Sequence, residues 1–179
     1  MADPLSHRIW TKQVSYALIA VAIVFVQLLP LNTVPRVWAA PDILMVTTLV
    51  WVARRPDFVP VLLISAVFLV ADLLFQRPPG LMTALVVVLT EMLRKRAGSL
   101  RNAPFGIEWL TVAIGIGAIT LGNRLVLAAV VTPQAPLGLT LIQMVLTILA
   151  YPVVVAVAHV VFGVSRPAPG EVNALGRRL

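Results

Sequence analysis

Long apolar stretches with almost no charged side chains constrain this sequence more than any other feature. Residues 137–164 contain no Asp, Glu, Lys or Arg, and Arg124 is the single charged residue between Leu110 and Val131. Of the 179 residues, 60% are hydrophobic and 12% are charged, against about 25% charged residues in average domains. A soluble domain of this length has too few charges to cover so much apolar surface. The sequence therefore predicts an all-α membrane protein.

Six apolar runs come close to the roughly 20 residues that cross the hydrocarbon core of a bilayer. They predict a bundle of six transmembrane helices at about 14–34, 37–53, 57–75, 80–93, 107–131 and 137–164. Residues 1–13 would form a cytoplasmic N-terminus, 14–164 the membrane domain and 165–179 a cytoplasmic tail. Pro152 is expected to kink the sixth helix.

The second and fourth runs are short and each carries a Pro or Gly break near the same side. Broken helices of this kind mark binding sites in some transporters, because unwound backbone lines a cavity or is buried in protein. The simpler interpretation is that the two helices tilt little and the bilayer thins around them. We favour the simpler interpretation and keep the binding site as the alternative.

Basic residues predict the orientation, since Lys and Arg concentrate in cytoplasmic loops. With the N-terminus inside, eleven of the 14 basic residues are cytoplasmic, and Arg36 and Arg77 lie in outer loops. The eleven are Arg8, Lys12, Arg54, Arg55, Arg94, Lys95, Arg96, Arg101, Arg166, Arg177 and Arg178. An even number of crossings then places both chain ends inside. Tryptophans favour membrane boundaries, and this topology places Trp10, Trp51 and Trp109 at the inner boundary and Trp38 at the outer one.

Three acidic residues stand where helices are predicted to begin. Asp42 and Asp57 each follow a proline, and Glu108 opens the fifth apolar run. A carboxylate at such a position accepts hydrogen bonds from free N–H groups and lies at the positive end of the helix dipole. We expect all three to be helix caps. Glu91, in contrast, is followed by Arg94 and Lys95 at the spacing of a local ion pair.

Asp72 lies near the C-terminal end of the third apolar run, so it cannot cap the N-terminus of the helix to which it belongs. Ionisable groups in spans usually face the bundle interior and find a partner. Two interpretations remain open. Asp72 forms an interhelical ion pair with Arg124 of the fifth helix, or it extends toward the outer interface beside Arg77.

The fifth run contains pairs of small residues four positions apart, Ala113 with Gly117 and Ala118 with Gly122. Such pairs let membrane helices approach closely, so this face is predicted to be the main packing face. Gln143, Tyr151 and His159 in the sixth run are isolated polar groups, which interhelical hydrogen bonds explain. The basic cluster of Arg54, Arg55, Arg94, Lys95 and Arg96 is interpreted as the orientation signal, with contacts to anionic lipid or a cytoplasmic partner as a second role.

No catalytic or metal site is expected. The chain contains no cysteine, which excludes disulfides and thiolate chemistry. We find no Ser/His/Asp arrangement, phosphate-binding loop, His-rich cluster or paired intramembrane aspartates, and no pattern of a nucleic-acid binder. A membrane-bound enzyme is therefore the least favoured class, and no cofactor is predicted.

Several short motifs resemble the rod shape-determining MreD family of Gram-negative bacteria. They are Pro41-Asp42 entering the second span, Arg54-Arg55-Pro56-Asp57 in a basic turn, and Asp72-Leu73-Leu74 followed by Pro78-Pro79-Gly80. The specific match covers residues 41–96. This chain departs from the family in having Phe75-Gln76 where the family often has glycine, and Pro79 where it usually has leucine.

The resemblance implies a non-enzymatic, multi-pass protein of the bacterial inner membrane that maintains rod cell shape and supports peptidoglycan synthesis. Such proteins act with MreC, which is a periplasmic coiled-coil protein. Through MreC they act with RodA and with a class B penicillin-binding protein, and indirectly with the actin-like MreB. The family fold is similar to the substrate-binding subunits of energy-coupling-factor transporters.

A small-molecule-binding subunit of a vitamin or solute transporter is the alternative function. It requires an outward-facing cavity with several convergent polar groups, for which the sequence offers Thr47, Thr48, Asp72, Thr83, Asn123 and Arg124.

Overall fold

The computed structural model describes residues 4–29 and 39–164, and these form six α-helices and one short 3-10 helix. The helices are α1 (Pro4–Leu28), α2 (Ile43–Arg54), α3 (Val61–Leu74), α4 (Leu81–Asn102), α5 (Phe105–Ala129) and α6 (Leu137–Phe162), and the 3-10 helix is Pro56–Phe58. The predicted all-helical class is therefore confirmed. The predictions for residues 1–3, 30–38 and 165–179, including Arg36, Trp38, Arg166, Arg177 and Arg178, lie outside the described residues.

Three of the described helices are long and apolar enough to cross a membrane: Ile9–Leu28 within α1, α5 and α6. Their outward faces carry large exposed hydrophobic side chains, such as Phe25 on α1, Leu121 on α5 and Val160 on α6, which are 62%, 60% and 80% exposed. Water would make such surfaces costly, and lipid makes them favourable. These helices indicate a membrane protein. The apolar helices α2 and α3 are shorter, at 12 and 14 residues.

The core of the bundle is α2, which packs against α6 on one side, α4 on another and α1. Every residue from Leu44 to Ala53 is buried. Trp51 is 0% exposed and its ring contacts those of Tyr16 on α1 and Phe162 on α6, with centroids 5.7 and 6.0 Å away. Trp51 therefore packs inside the protein, and its position at the membrane boundary stays a prediction. An apolar run buried on all sides resembles a lipid-facing one in sequence, because both lack polar residues.

The helices alternate in direction between two ends of the bundle. We call the end that holds the C-terminus of α2 and the N-terminus of α5 the basic end. Arg54 contacts Glu108 there, Arg94 donates to the carbonyls of Pro56 and Val59 at 2.7 and 2.8 Å, and Lys12 donates to the Phe162 carbonyl at 2.7 Å. The opposite end, with the α3–α4 and α5–α6 turns, is called the far end.

Several helix boundaries differ from the predicted spans. α1 begins at Pro4 rather than near residue 14, and α4 continues from residue 93 to Asn102. Hydropathy detects only the apolar part of a helix, whereas Arg, Lys, Met and Leu are good helix formers whether or not they lie in lipid. α4 is therefore not a short helix: its 22 residues rise about 33 Å. The fourth predicted span is only the apolar part of α4.

Pro152 lies inside α6, which runs as one helix from Leu137 to Phe162. Proline has no N–H, so the carbonyl of Ile148, four residues earlier, lacks its usual partner in the helix. The indole N–H of Trp109 donates to this carbonyl at 3.0 Å. Trp109 therefore joins α5 to α6 at the proline.

Candidate functional site

The shortness of α2 leaves space inside the far end of the bundle. The backbone N–H of Asp42, just before α2, donates to the Thr147 hydroxyl at 3.0 Å. Thr147 lies ten residues into α6, which is about 15 Å from its start. α2 therefore begins deep within the bundle, and α5 and α6 continue past it toward the far end.

A cavity of about 360 Å³ occupies this space, within the range of about 300–1,000 Å³ typical of small-ligand sites. Its walls come from the start of α2, the α3–α4 turn, the second half of α5, the α5–α6 turn and the first half of α6. The polar lining residues are Asp42, Gln76, Arg77, Thr120, Asn123, Arg124, Thr132, Gln134, Thr140, Gln143 and Thr147. Apolar side chains, among them Met45, Ile116 and Met144, complete the lining.

A second cavity of about 690 Å³ adjoins the first and shares Asp42, Gln76, Arg77, Ala135, Thr140 and Gln143 with it. It extends between the end of α1 and the start of α6. Because the two cavities share these walls, they form one polar region, which we call the far-end cavity.

Arg124 occupies the wall of this cavity on α5. Its Nη1 donates to the Ala135 carbonyl at 3.1 Å and to the Thr140 hydroxyl at 2.8 Å, and Gln134 donates to its backbone carbonyl at 3.2 Å. These bonds hold the guanidinium against the α5–α6 turn. Arg124 therefore has neutral oxygens, not a carboxylate, as its partners among the described residues.

The predicted ion pair between Asp72 and Arg124 is wrong, and so is the alternative beside Arg77. Asp72 is 1% exposed, and its Oδ2 accepts from the N–H groups of Gly80 and Thr83 at 3.1 and 3.2 Å and from the Thr83 hydroxyl at 2.9 Å. Arg77 instead lies over the Phe75 ring at 5.1 Å. Asp72 thus caps the N-terminus of the next helix, α4, whose dipole favours the negative charge.

The turn between α3 and α4 explains how Asp72 reaches those donors. Arg77 N–H donates to the Asp72 carbonyl and Gln76 N–H to the Leu73 carbonyl, at 3.0 and 3.3 Å, which is the Schellman pattern at a helix end. Gln76 and Gly80 have φ of 53° and 86°, the left-handed region that glycine adopts at least cost. The Asp-Leu-Leu and Pro-Pro-Gly motifs therefore build one connected turn.

Of the three predicted caps, only Asp42 caps the helix that it precedes: its Oδ1 accepts from the Met45 N–H at 3.0 Å. Asp57 lies in the 3-10 helix, and α3 begins later with Pro60 at its N-cap. Glu108 lies in the first turn of α5, after Pro104 at the N-cap, and is 1% exposed. The cap expected of Glu108 is replaced by a buried ion pair.

That ion pair joins three helices at the basic end. Glu108 Oε1 accepts from Arg54 Nε of α2 at 3.1 Å and from the Tyr151 hydroxyl of α6 at 2.7 Å. Tyr151 also stacks on Phe105, with ring centroids 6.4 Å apart. A buried carboxylate needs such partners, because removing one leaves an uncompensated charge. The three side chains fix α2, α5 and α6 relative to one another.

The predicted basic cluster divides into buried and exposed parts. Arg55 is 7% exposed and lies 5.5 Å from the Phe58 ring centre. Arg94 pairs with Glu91 at 2.8 Å, the expected local ion pair. Within the cluster, only Lys95 and Arg96 are exposed. Arg54, Arg55 and Arg94 thus have structural contacts besides any role in orientation, and Lys95 and Arg96 remain available to lipid or a partner.

The packing face of α5 agrees with the predicted one at Gly122 and differs from it elsewhere. Gly115 faces α4 so closely that a Cβ there would lie 2.6 Å from Leu89 Cδ1, and one at Gly122 would lie 3.3 Å from Leu85 Cδ2. A Cβ at Gly117 would meet nothing within 4 Å, and Ala118 is exposed. Ala113 is half-buried. Gly115 and Gly122 are the close contacts, seven residues apart on one face.

Asn123 and Arg124, which the sequence offered for a possible ligand site, both line the cavity. Thr48 bonds instead to Tyr16, at 2.8 Å. Thr140, Gln143 and Thr147 were missed as a group, although spacings of three and four place them on one helix face. That spacing was the signal that could have revealed the cavity wall.

No protein-family model, curated protein or solved structure matches this chain. Among the described residues, no group of three or more His, Cys, Asp or Glu side chains is placed to hold a metal ion.

Proposed function

We propose that this protein is a non-enzymatic scaffold of the bacterial inner membrane that acts in the cell-wall elongation machinery. In this role it would maintain rod shape by binding an MreC-like periplasmic coiled-coil protein, and through it RodA and a class B penicillin-binding protein. The basic end faces the cytoplasm, with both chain ends inside after six crossings, and the far end faces the periplasm.

The observation that supports this proposal is the set of contacts that the motif residues make between elements. Asp42, Arg54 and Asp72 belong to the motifs that resemble MreD, and each joins two elements: Asp42 joins α2 to α6, Arg54 joins α2 to α5, and Asp72 joins α3 to α4. Shape-keeping contacts of this kind suit a protein that presents fixed surfaces to partners. The long apolar faces of α1, α5 and α6 offer those surfaces within the bilayer.

The test is co-purification from a rod-shaped host. The affinity-tagged protein is extracted in neutral detergent together with a co-expressed MreC-like protein. In a parallel culture, cells are depleted of the protein described here. We expect the MreC-like protein to remain bound through size-exclusion chromatography and the depleted cells to become round. Cells that stay rod-shaped, with no MreC-like protein retained, would refute the scaffold function.

A second function, binding of a small molecule as a transporter subunit does, is favoured by the far-end cavity. Such a subunit requires an outward-facing cavity with several convergent polar groups. A cavity of about 360 Å³ with Arg124, Asn123 and Gln143 in its walls supplies those groups. A panel of vitamins and ions tested by thermal unfolding separates the two functions, since a scaffold without ligand would show no shift.

A further inference from the structure

We infer that the far-end cavity binds an amphipathic organic anion, with Arg124 recognising its carboxylate or phosphate group. This inference rests on the second of the two proposed functions and adds the ligand class. It does not depend on the scaffold function.

The Arg124 guanidinium has one edge that the protein leaves unused. Nη1 makes both of its side-chain bonds, to Ala135 and Thr140, while Nε and Nη2 bond to none of the described residues. No buried side-chain nitrogen in the described part of the chain lacks a partner, so Nε and Nη2 are accessible. These two nitrogens lie on one edge of the planar group, and such an edge binds a carboxylate or phosphate through two parallel hydrogen bonds.

The positive charge of Arg124 also lacks an ion-pair partner among the described residues. Arg124 is half-buried on α5, one of the helices long and apolar enough to cross a membrane, where an arginine pairs with another ionisable group or with backbone carbonyls. Asp42, which lines the same cavity, accepts a hydrogen bond from the start of α2, and Asp72 accepts from the start of α4. Within residues 4–29 and 39–164 no carboxylate lies within ion-pair distance of Arg124.

The remaining walls of the cavity indicate what else the ligand carries. Among the described residues, the charged residues lining the cavity are Arg77, Arg124 and Asp42, so these residues contribute a formal charge of plus one. Neutral donors and acceptors, among them Asn123 and Gln143, would bind uncharged polar groups of the ligand. Met45, Ile116 and Met144 would contact an apolar portion. One anionic group on a partly apolar body fits this lining, and an anionic lipid headgroup and a free organic anion share that chemistry.

The experiment measures binding to the full-length protein in neutral detergent with two matched probes. Phenyl phosphate carries the anion on an apolar ring, and phenyl glucoside is neutral with a similar ring. The variants are Arg124→Gln, Arg124→Lys, and Arg96→Gln as a control that removes a positive charge from the exposed surface of the basic end. Thermal unfolding of each variant without probe checks that the fold is retained.

We expect phenyl phosphate to bind the wild-type protein and Arg96→Gln with the same Kd. Arg124→Gln should weaken binding about tenfold or more, as loss of hydrogen bonds to a charged group implies. Arg124→Lys keeps the charge but loses the two-bond edge, so its Kd should lie in between. Equal Kd values for Arg124→Gln and the wild-type protein, or equal losses in Arg124→Gln and Arg96→Gln, would overturn the inference.

Two further arms identify the source of the anion and separate this inference from the function on which it rests. Lipid mass spectrometry of protein from phosphatidylglycerol and phosphatidylcholine nanodiscs shows a lipid source if phosphatidylglycerol is retained by the wild-type protein and lost by Arg124→Gln. Phenyl phosphate binding in phosphatidylcholine nanodiscs shows a free-anion source. If phenyl glucoside binds and phenyl phosphate does not, the inference of an anionic ligand is overturned and the function of small-molecule binding is retained. If neither probe and no lipid binds, both the inference of an anionic ligand and the function of small-molecule binding are overturned.

Discussion

Replacement of Asp72 by alanine tests the most specific contact of the fold. The substitution removes three hydrogen bonds to a carboxylate that is 1% exposed, from Gly80 N, Thr83 N and Thr83 Oγ1. Loss of a helix cap costs about 1–2 kcal/mol, and the Thr83 hydroxyl bond to a charged acceptor adds about 1.5 kcal/mol. We expect a loss of about 3 kcal/mol in the free energy of unfolding, or about 6–12 °C in Tm for a chain of this length.

The assay is unfolding in detergent, with double-mutant cycles that separate the cap from the ion pair expected from the sequence. Asp72→Ala and Thr83→Val remove the two sides of one contact, so they should be coupled by about 1 kcal/mol. Asp72→Ala and Arg124→Gln share no partner and should add to within about 0.5 kcal/mol. Strong coupling to Arg124 with none to Thr83 would refute the cap and restore the ion pair.

Five other substitutions test three separate parts of the structure by the same unfolding assay. Glu108→Ala should cost about 3–5 kcal/mol because it leaves the Arg54 guanidinium buried without its carboxylate, and Tyr151→Phe only about 1 kcal/mol; equal losses would contradict the assigned geometry. Gly115→Ala should lose about 1 kcal/mol or more against Leu89, whereas Gly117→Ala should be neutral or slightly stabilising, and the reverse order would favour the packing face expected from the sequence. Val131 has φ of 55° and is 89% exposed, so Val131→Gly should raise the free energy of unfolding by up to about 1 kcal/mol. A decrease would show that the Val131 side chain has a packing role.

The helical class was predictable because it depends on local sequence: apolar runs and helix formers act along the chain. The cap that Asp72 provides was not, since its donors belong to the following helix and meet it only after the turn through Gln76 and Gly80 closes. The burial of Trp51 was hidden for a related reason, because protein and lipid surroundings select the same apolar residues.

The candidate site was predictable only in part. Asn123 and Arg124 could be predicted as candidate site residues because they are polar residues in an apolar run, which is a local signal. The cavity itself results from a difference in length between α2 and α6, and no single segment reveals where one helix begins beside another. Likewise, the spacing of small residues on α5 identified close packing but not the side on which α4 lies.

The orientation of the bundle is tested most directly by cysteine labelling, since the chain contains no cysteine of its own. Ser99→Cys at the basic end and Ala135→Cys at the far end are both conservative substitutions at exposed positions. In spheroplasts, a membrane-impermeant maleimide should label Ala135→Cys at once and Ser99→Cys only after permeabilisation. Labelling of both before permeabilisation, or of Ser99→Cys alone, would contradict a bundle that crosses the membrane with its cavity facing outward.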